Sequence, residues 1–332
     1  MGWALQNAAA SGKEGGVISS MNWQLIRVGL FTAGILIIYW MAIRWACERF
    51  QRRQPRSRLD QWFRSTGTGV VLLGLATTGL VCMAYGVPIE PRRVTVTTYT
   101  IKTPKLPPGE RVRLVQLADM HVREDGPREK ALPEIVRALR PDIILHTGDF
   151  FGTREDVRPI VAKLLRSWDA PQFACEGNWD SLSDVAGFLK EAGVTVLNGG
   201  RRETCSVRGI RLCIGGFPSG AETAIRWNLR HLPPETFNIV LYHHPQGFPE
   251  TWDTPTDLML AGHTHGGQVR LPFYGALVTL DRYGKRWESG LFEERGAKLI
   301  VSRGLGCEPD IPEVRFCCAP EVVTVDLVSP AR

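Results

Sequence analysis

The chain has 332 residues, 44% hydrophobic, 22% charged and 9% aromatic, which leaves room for two domains and excludes disordered, collagen-like and disulfide-knot classes. The net charge of +6 is unevenly placed: residues 1–93 hold eleven Lys and Arg against four acids, a net of +7, so the remainder carries −1. Because most of that positive charge sits in one N-terminal loop, the pI of about 9.0 does not point to nucleic acid as a partner.

That loop lies between two apolar runs. Val28–Ile43 is uncharged and flanked by Arg27 and Arg44, with Trp23, Tyr39, Trp40 and Trp45 near its ends, so it can span a bilayer while the arginines snorkel to the headgroups. Ser65–Ile89 is a second uncharged run. We expect transmembrane helices over about 25–46 and 65–89, a membrane anchor over residues 1–93 and a catalytic domain over 94–332. A cleaved signal peptide fits less well, because the first run is followed by Arg-rich sequence and no small-x-small site. Residues 1–20 read as a floppy leader, with Met21 an alternative start. The Arg-dense segment Cys47–Arg64 is expected in the cytosol. That makes the chain a multi-pass protein of the cell (inner) membrane with an extracytoplasmic catalytic domain.

Past Arg93, strand and helix signals alternate. Val94–Ile101 has period-two alternation, and short apolar runs follow at Val112–Ala118, Ile143–Thr147, Gln172–Cys175, Val194–Leu197, Asn238–His243 and Leu258–Ala261. Helical patterns fall at Glu129–Leu139, Asp156–Ser167 and Ser183–Ala192. The late segments GLFEE, AKLIVSR and VVTVDL read as hairpin strands. The fold class is α/β, with two packed sheets and helices outside. Of eight cysteines, Cys205 and Cys213 flank a turn at Arg208-Gly209 and are placed to face each other as a disulfide or to pack as two small apolar residues.

Chemistry gathers where those strands end. Asp119 and His121 (QLADMH), Asp149 (LHTGDF), Asn178 (CEGNWD), His243 (LYHHP), and His263 and His265 (LAGHTH) each follow a strand signal, and ligands of open α/β sheets collect at carboxyl ends of strands. Carboxylate, amide and imidazole donors together suit two borderline divalent cations such as Mn, Fe, Co, Ni or Zn rather than Mg or Ca. The Asp-x-His and His-x-His spacings put both members on one side of an extended segment. By the same alternation His244 turns away from His243. His146 is expected in the core or behind the site, and His231 at the surface.

These motifs, DMH, GDF, GNWD, HHP and GHTH in order, resemble those of the calcineurin-like metallophosphoesterases, as do the continuations GHTHGGQ, SRGLG and RFCCAPEVVTVDL. The resemblance covers about Val94 to Leu327 and implies a four-layer α/β/β/α sandwich, here preceded by two transmembrane helices. It implies a dinuclear site in which Asp119, His121 and His265 hold one metal, Asp149 bridges, and Asn178, His243 and His263 hold the other. A hydroxide between the cations is then expected to attack phosphorus in line. One position departs: where the family usually has His after Gly-Asn, this chain has Trp179, whose indole cannot act as a general acid. A substrate with a stable leaving anion, such as a pyrophosphate, needs that acid least; otherwise another group such as His244 supplies the proton. Arg303 and Arg315 are candidate phosphate clamps, and Trp179, Trp227, Trp252 and Phe248 candidate walls of an acyl-chain groove.

The expected activity is hydrolysis of phosphodiester or pyrophosphate bonds, with a phosphorylated, lipid-linked substrate and the bilayer as partners. The alternatives are a UDP-2,3-diacylglucosamine pyrophosphohydrolase of lipid A synthesis, a broad phosphoesterase on soluble substrates, and a non-catalytic metal-binding module.

Overall fold

The computed structural model describes residues 14–51, 54–152, 156–180, 184–309 and 311–330. Residues 1–13 of the leader, Arg52 and Arg53 of the Arg-rich loop and the expected helix start at Ser183 lie outside the described residues; residues 14–20, expected to be floppy, are instead the first turns of a long helix. The chain divides into two compact units, one ending at Ile89 and one beginning at Glu90.

In the first unit, α1 (Glu14–Phe50) and α3 (Thr66–Gly86) are joined through a short helix, α2 (Arg58–Phe63), inside the Arg-rich segment. Ser57 and Ser65 start α2 and α3 by accepting the N–H groups of Asp60 and Thr68, the usual remedy for unpaired donors at a helix start. Small residues let the two long helices touch. A side chain on Gly69 would collide with Trp45, and one on Gly79 with Tyr39. Tyr39 Oη donates to Ala76 O at 3.0 Å and Trp45 Nε1 to Ser65 O at 3.2 Å. The rest of the apolar surface stays outside: Leu30, Trp40, Ile43, Val70 and Val81 are all exposed. Spans of 29 and 27 residues are long and apolar enough to cross a membrane.

The second unit contains two six-stranded sheets and a two-stranded one, β10 (Arg270–Leu271) antiparallel to β11 (Gly275–Ala276). The first runs β1 (Thr95–Lys102), β14 (Glu321–Val328), β2 (Arg111–Leu117), β3 (Ile143–His146), β4 (Gln172–Ala174), β5 (Thr195–Val196). The second runs β12 (Gly290–Glu294), β13 (Ala297–Val301), β9 (Leu258–Ala261), β8 (Phe237–Tyr242), β7 (Ile210–Phe217), β6 (Arg202–Val207). Strands β2 to β5 are mutually parallel, as are β13, β9, β8 and β7. An apolar layer fills the space between the sheets, with Leu114, Leu145 and Val325 clustered with Leu212, Leu241 and Leu260. Outside the first sheet, α4 (Pro127–Leu139), α5 (Arg158–Leu165) and α6 (Val185–Glu191) bury Leu132, Val161 and Leu189. Outside the second, α7 (Glu222–Leu229) and a 3₁₀ turn at Pro245–Thr251 bury Ile225 and Phe248. This is the four-layer α/β/β/α sandwich.

Two strand readings are corrected. VVTVDL is no hairpin strand: β14 returns to the first sheet, parallel to β1 and antiparallel to β2. The Cys205–Cys213 bridge does not form. The turn is where expected, with Arg208 and Gly209 both at positive φ, but the register pairs Thr204 with Cys213 and Cys205 with Leu212. The two thiols therefore point to opposite faces, and both are free.

Candidate metal centre

All seven residues expected as ligands come together just beyond the strand ends, and all are buried. Their approach is not the extended alternation read from the sequence. Asp119 (φ 48°), His121 (φ 37°), Asp149 (φ 59°), His263 (φ 70°) and His265 (φ 50°) occupy the left-handed region, so tight turns rather than strand pleats aim them. Such backbone is costly for residues with a Cβ and persists where surrounding contacts enforce it. Two glycines show the enforcement. A Cβ on Gly177 would lie 2.1 Å from Asp149 Oδ1, and one on Gly262 would lie 2.4 Å from Asp119 Oδ2.

Asp149 is central. Its Oδ2 stands 3.1 Å from His243 Nε2 and 3.5 Å from His121 Nε2, while its Oδ1 accepts the Trp179 backbone N–H at 2.9 Å. On one side, ligand atoms of Asp119, His121 and His265 lie within 4.8 Å of one another. On the other, His243 faces Asp149, and His263 Nδ1 meets Asn178 Oδ1 at 3.2 Å. His121 Nδ1 faces Phe151 O at 3.0 Å and His243 Nδ1 faces Thr147 O at 2.7 Å. Each carbonyl fixes the tautomer and leaves Nε2 as a lone-pair donor into the cluster. His121 Nε2, Asp119 Oδ2 and His265 Nδ1 are buried with no hydrogen-bond partner, which is expensive unless a cation completes them. Burial pushes Asp119 up to about 7. Burial disfavours a charge on His243, yet with no cation in the cluster the Asp149 and Asp119 carboxylates outweigh it and push the imidazole up to about 10; a bound cation would take the place of that proton on Nε2. The donor set fits divalent cations of the borderline class.

The residues around the cluster differ in part from expectation. His244 does not turn away: it is buried, its ring lies 4.9 Å from that of His243 and 4.1 Å from that of His263, and its Nε2 is 2.6 Å from Ser219 Oγ. It shares a second group of close ligand atoms with His243 and His263. His146 is a core residue, bonded to Gln172 Oε1 at 3.0 Å. Arg315 is no phosphate clamp. It is fully buried and its guanidinium donates to the carbonyls of Cys318, Arg303, Gly304 and Gly306, which shapes the loop lying on Asp119 and His121. Arg303 pairs with Glu321 at 2.5 Å. The four aromatic residues form no common groove: Phe248 and Trp252 pack outside the second sheet, Trp227 is exposed on α7, and Trp179 is beside the cluster.

Two carboxylates were missed. Asp180, fully buried, accepts the N–H groups of Asp149 (2.6 Å), Gly177 (2.9 Å) and Phe150 (3.0 Å). Its position three residues past Gly177, the spacing at which a carboxylate reaches back to the N–H that opens a turn, was the available signal. Glu308 accepts the Trp179 indole N–H at 3.1 Å and stands 3.7 Å from His265 Nε2; 129 residues separate it from Trp179, and nothing local announces it.

The profile of the family described as calcineurin-like phosphoesterase matches residues 112–267. An uncharacterized metallophosphoesterase of Bacillus subtilis, YkuE, is 30% identical over 73% of this chain and 88% of its own. Phosphodiesterase YaeI of Escherichia coli is 30% identical over 65% of this chain and 82% of its own. UDP-2,3-diacylglucosamine pyrophosphatase LpxG of Chlamydia trachomatis is 24% identical over 78% of this chain and 97% of its own.

Proposed function

Given that the chain belongs to the calcineurin-like phosphoesterases and is therefore a phosphoester hydrolase, we propose that it is a membrane-anchored, dinuclear enzyme cleaving a pyrophosphate or activated phosphodiester bond of a lipid-linked substrate. Residues 1–93 serve as the anchor and 94–332 as the catalytic domain. The observation that carries the reading is the position of Asp149 Oδ2 between His121 Nε2 and His243 Nε2. One oxygen facing both halves of a cluster is what a bridging carboxylate requires. Asp119, His121 and His265 would hold one cation, and Asn178, His243 and His263 the other. Bound divalent cations would supply a nucleophile at neutral pH and neutralise phosphoryl charge. The chain's own groups do the positioning: Phe151 O and Thr147 O orient two imidazoles, the Trp179 N–H restrains Asp149, and Asp180 ties together the turns that carry Asp149 and Asn178.

Support for a lipid-linked pyrophosphate comes from three features: Trp179 in place of an acidic imidazole, two helices able to cross a membrane, and alignment with a relative named for UDP-2,3-diacylglucosamine over nearly its whole length. The test is release of phosphate-containing product from a diacylated sugar pyrophosphate and from a simple alkyl phosphodiester by the detergent-purified full chain with added Mn²⁺. Faster turnover of the alkyl diester contradicts the reading. Reporter fusions at the C-terminus and within the Arg-rich loop decide the compartment. An active periplasmic reporter at the C-terminus supports the extracytoplasmic placement, and the reverse favours the cytosolic lipid A precursor reaction.

A further inference from the structure

Glu308 has a fixed address. Its backbone N–H donates to Gln268 Oε1 at 2.5 Å, its carbonyl accepts from Arg123 at 2.8 Å, and the loop it extends is held from below by Arg315. The side chain is held as well: Trp179 Nε1 donates to Oε1 at 3.1 Å, with the indole set edge-on to His121 at a ring distance of 6.3 Å. The second oxygen is left 3.7 Å from His265 Nε2, at the rim of the group formed by Asp119, His121 and His265. The Glu308 side chain keeps 19% of its surface exposed, so the carboxylate borders both solvent and the cluster. An indole N–H can only donate, so the contact fixes Oε1 as its acceptor and sets the direction of the second oxygen.

Building on the phosphohydrolase reading above, we infer that Glu308 is a specificity residue that rejects phosphomonoesters, with Trp179 as the residue that positions it. A phosphodiester, or each inner phosphorus of a pyrophosphodiester, carries one negative charge, whereas a monoester is a dianion at mildly alkaline pH. A carboxylate within a few ångströms of the phosphoryl group repels the dianion more strongly, and this partly desolvated site magnifies the difference. Discrimination arises from placing a like charge against the wrong substrate rather than from an added contact with the right one.

The experiment compares p-nitrophenyl phosphate with bis(p-nitrophenyl) phosphate at pH 8.5 on the full chain in detergent with Mn²⁺; the leaving group is the same, and comparing each variant's ratio with that of wild type cancels the effect of the diester's second aryl group. Glu308→Gln keeps an acceptor for the indole and removes the charge. The monoester-to-diester ratio of kcat/KM should rise by about tenfold or more, with bound metal unchanged by elemental analysis. Trp179→Phe, which keeps the ring against His121 but frees Glu308, should move the ratio in the same direction by less. An unchanged ratio in Glu308→Gln overturns the inference, as does an equal fall on both substrates with loss of metal, which would make Glu308 a structural part of the cluster. Absence of diester hydrolysis by the wild-type chain would instead overturn the phosphohydrolase reading itself.

Discussion

Asp180 Oδ2 accepts the backbone N–H of Asp149 at 2.6 Å and that of Gly177 at 2.9 Å. One buried carboxylate thus ties the turn after β3 to the turn after β4, the two turns that present Asp149 and Asn178. Groups of this kind, behind the ligands, typically influence metal affinity or activity by about 10- to 100-fold. Asp180→Ala is therefore expected to weaken divalent metal binding within that range, although Asp180 reaches neither half of the cluster. Competition with a chromogenic chelator measures it, and an affinity equal to wild type would remove Asp180 from the account.

Leaving-group dependence follows from Trp179. With no imidazole at this position, wild-type rates should fall steeply as the leaving-group pKa rises from aryl to alkyl diesters. Trp179→His should recover alkyl diesters by about 10²-fold, while gaining little on substrates whose leaving anion is already stable. A series of substituted phenyl and alkyl diesters checks this under conditions where chemistry limits turnover. A flat wild-type dependence would show that another group, with buried His244 the nearest unassigned imidazole, already donates the proton.

The site was legible because its residues sit where short apolar strands end, and that pattern needs no knowledge of side-chain contacts: QLADMH, LHTGDF and LAGHTH each show an apolar run followed by donors. What stayed hidden depends on distance in sequence or on register. Cys205 and Cys213 left a disulfide and separate apolar packing both open because a turn lies midway between them, and a one-residue offset across the hairpin decides for the second by sending them to opposite faces. Arg315 looked like a free guanidinium and proved to be the internal support of a loop. His244 broke the alternation because β8 ends at Tyr242. Glu308 enters through a contact with Trp179 that no local pattern encodes.

His146 gives a pH dependence of stability. Burial pushes its imidazole down to about 4, against about 6.5 in an unfolded chain. Between those values the unfolded state binds a proton that the folded state refuses, so stability is full above about pH 6.5 and declines as pH falls toward 4. The loss attributable to this residue is roughly 2 kcal/mol by pH 5. His146→Gln, which carries no titrating group, should show a smaller drop in thermal midpoint between pH 7 and pH 5 than wild type in the same detergent. Parallel profiles for the two proteins would contradict the assignment of that drop to His146.

The central claim is that Asp149 joins two cation sites and that hydrolysis depends on both. The most direct measurement pairs metal content with bis(p-nitrophenyl) phosphate turnover for wild type and Asp149→Ala, after confirming by circular dichroism that the variant is folded. The account predicts two divalent ions per wild-type chain, one or none in Asp149→Ala, and a fall in kcat of about 10³-fold or more. Full activity of Asp149→Ala with undiminished metal would contradict it.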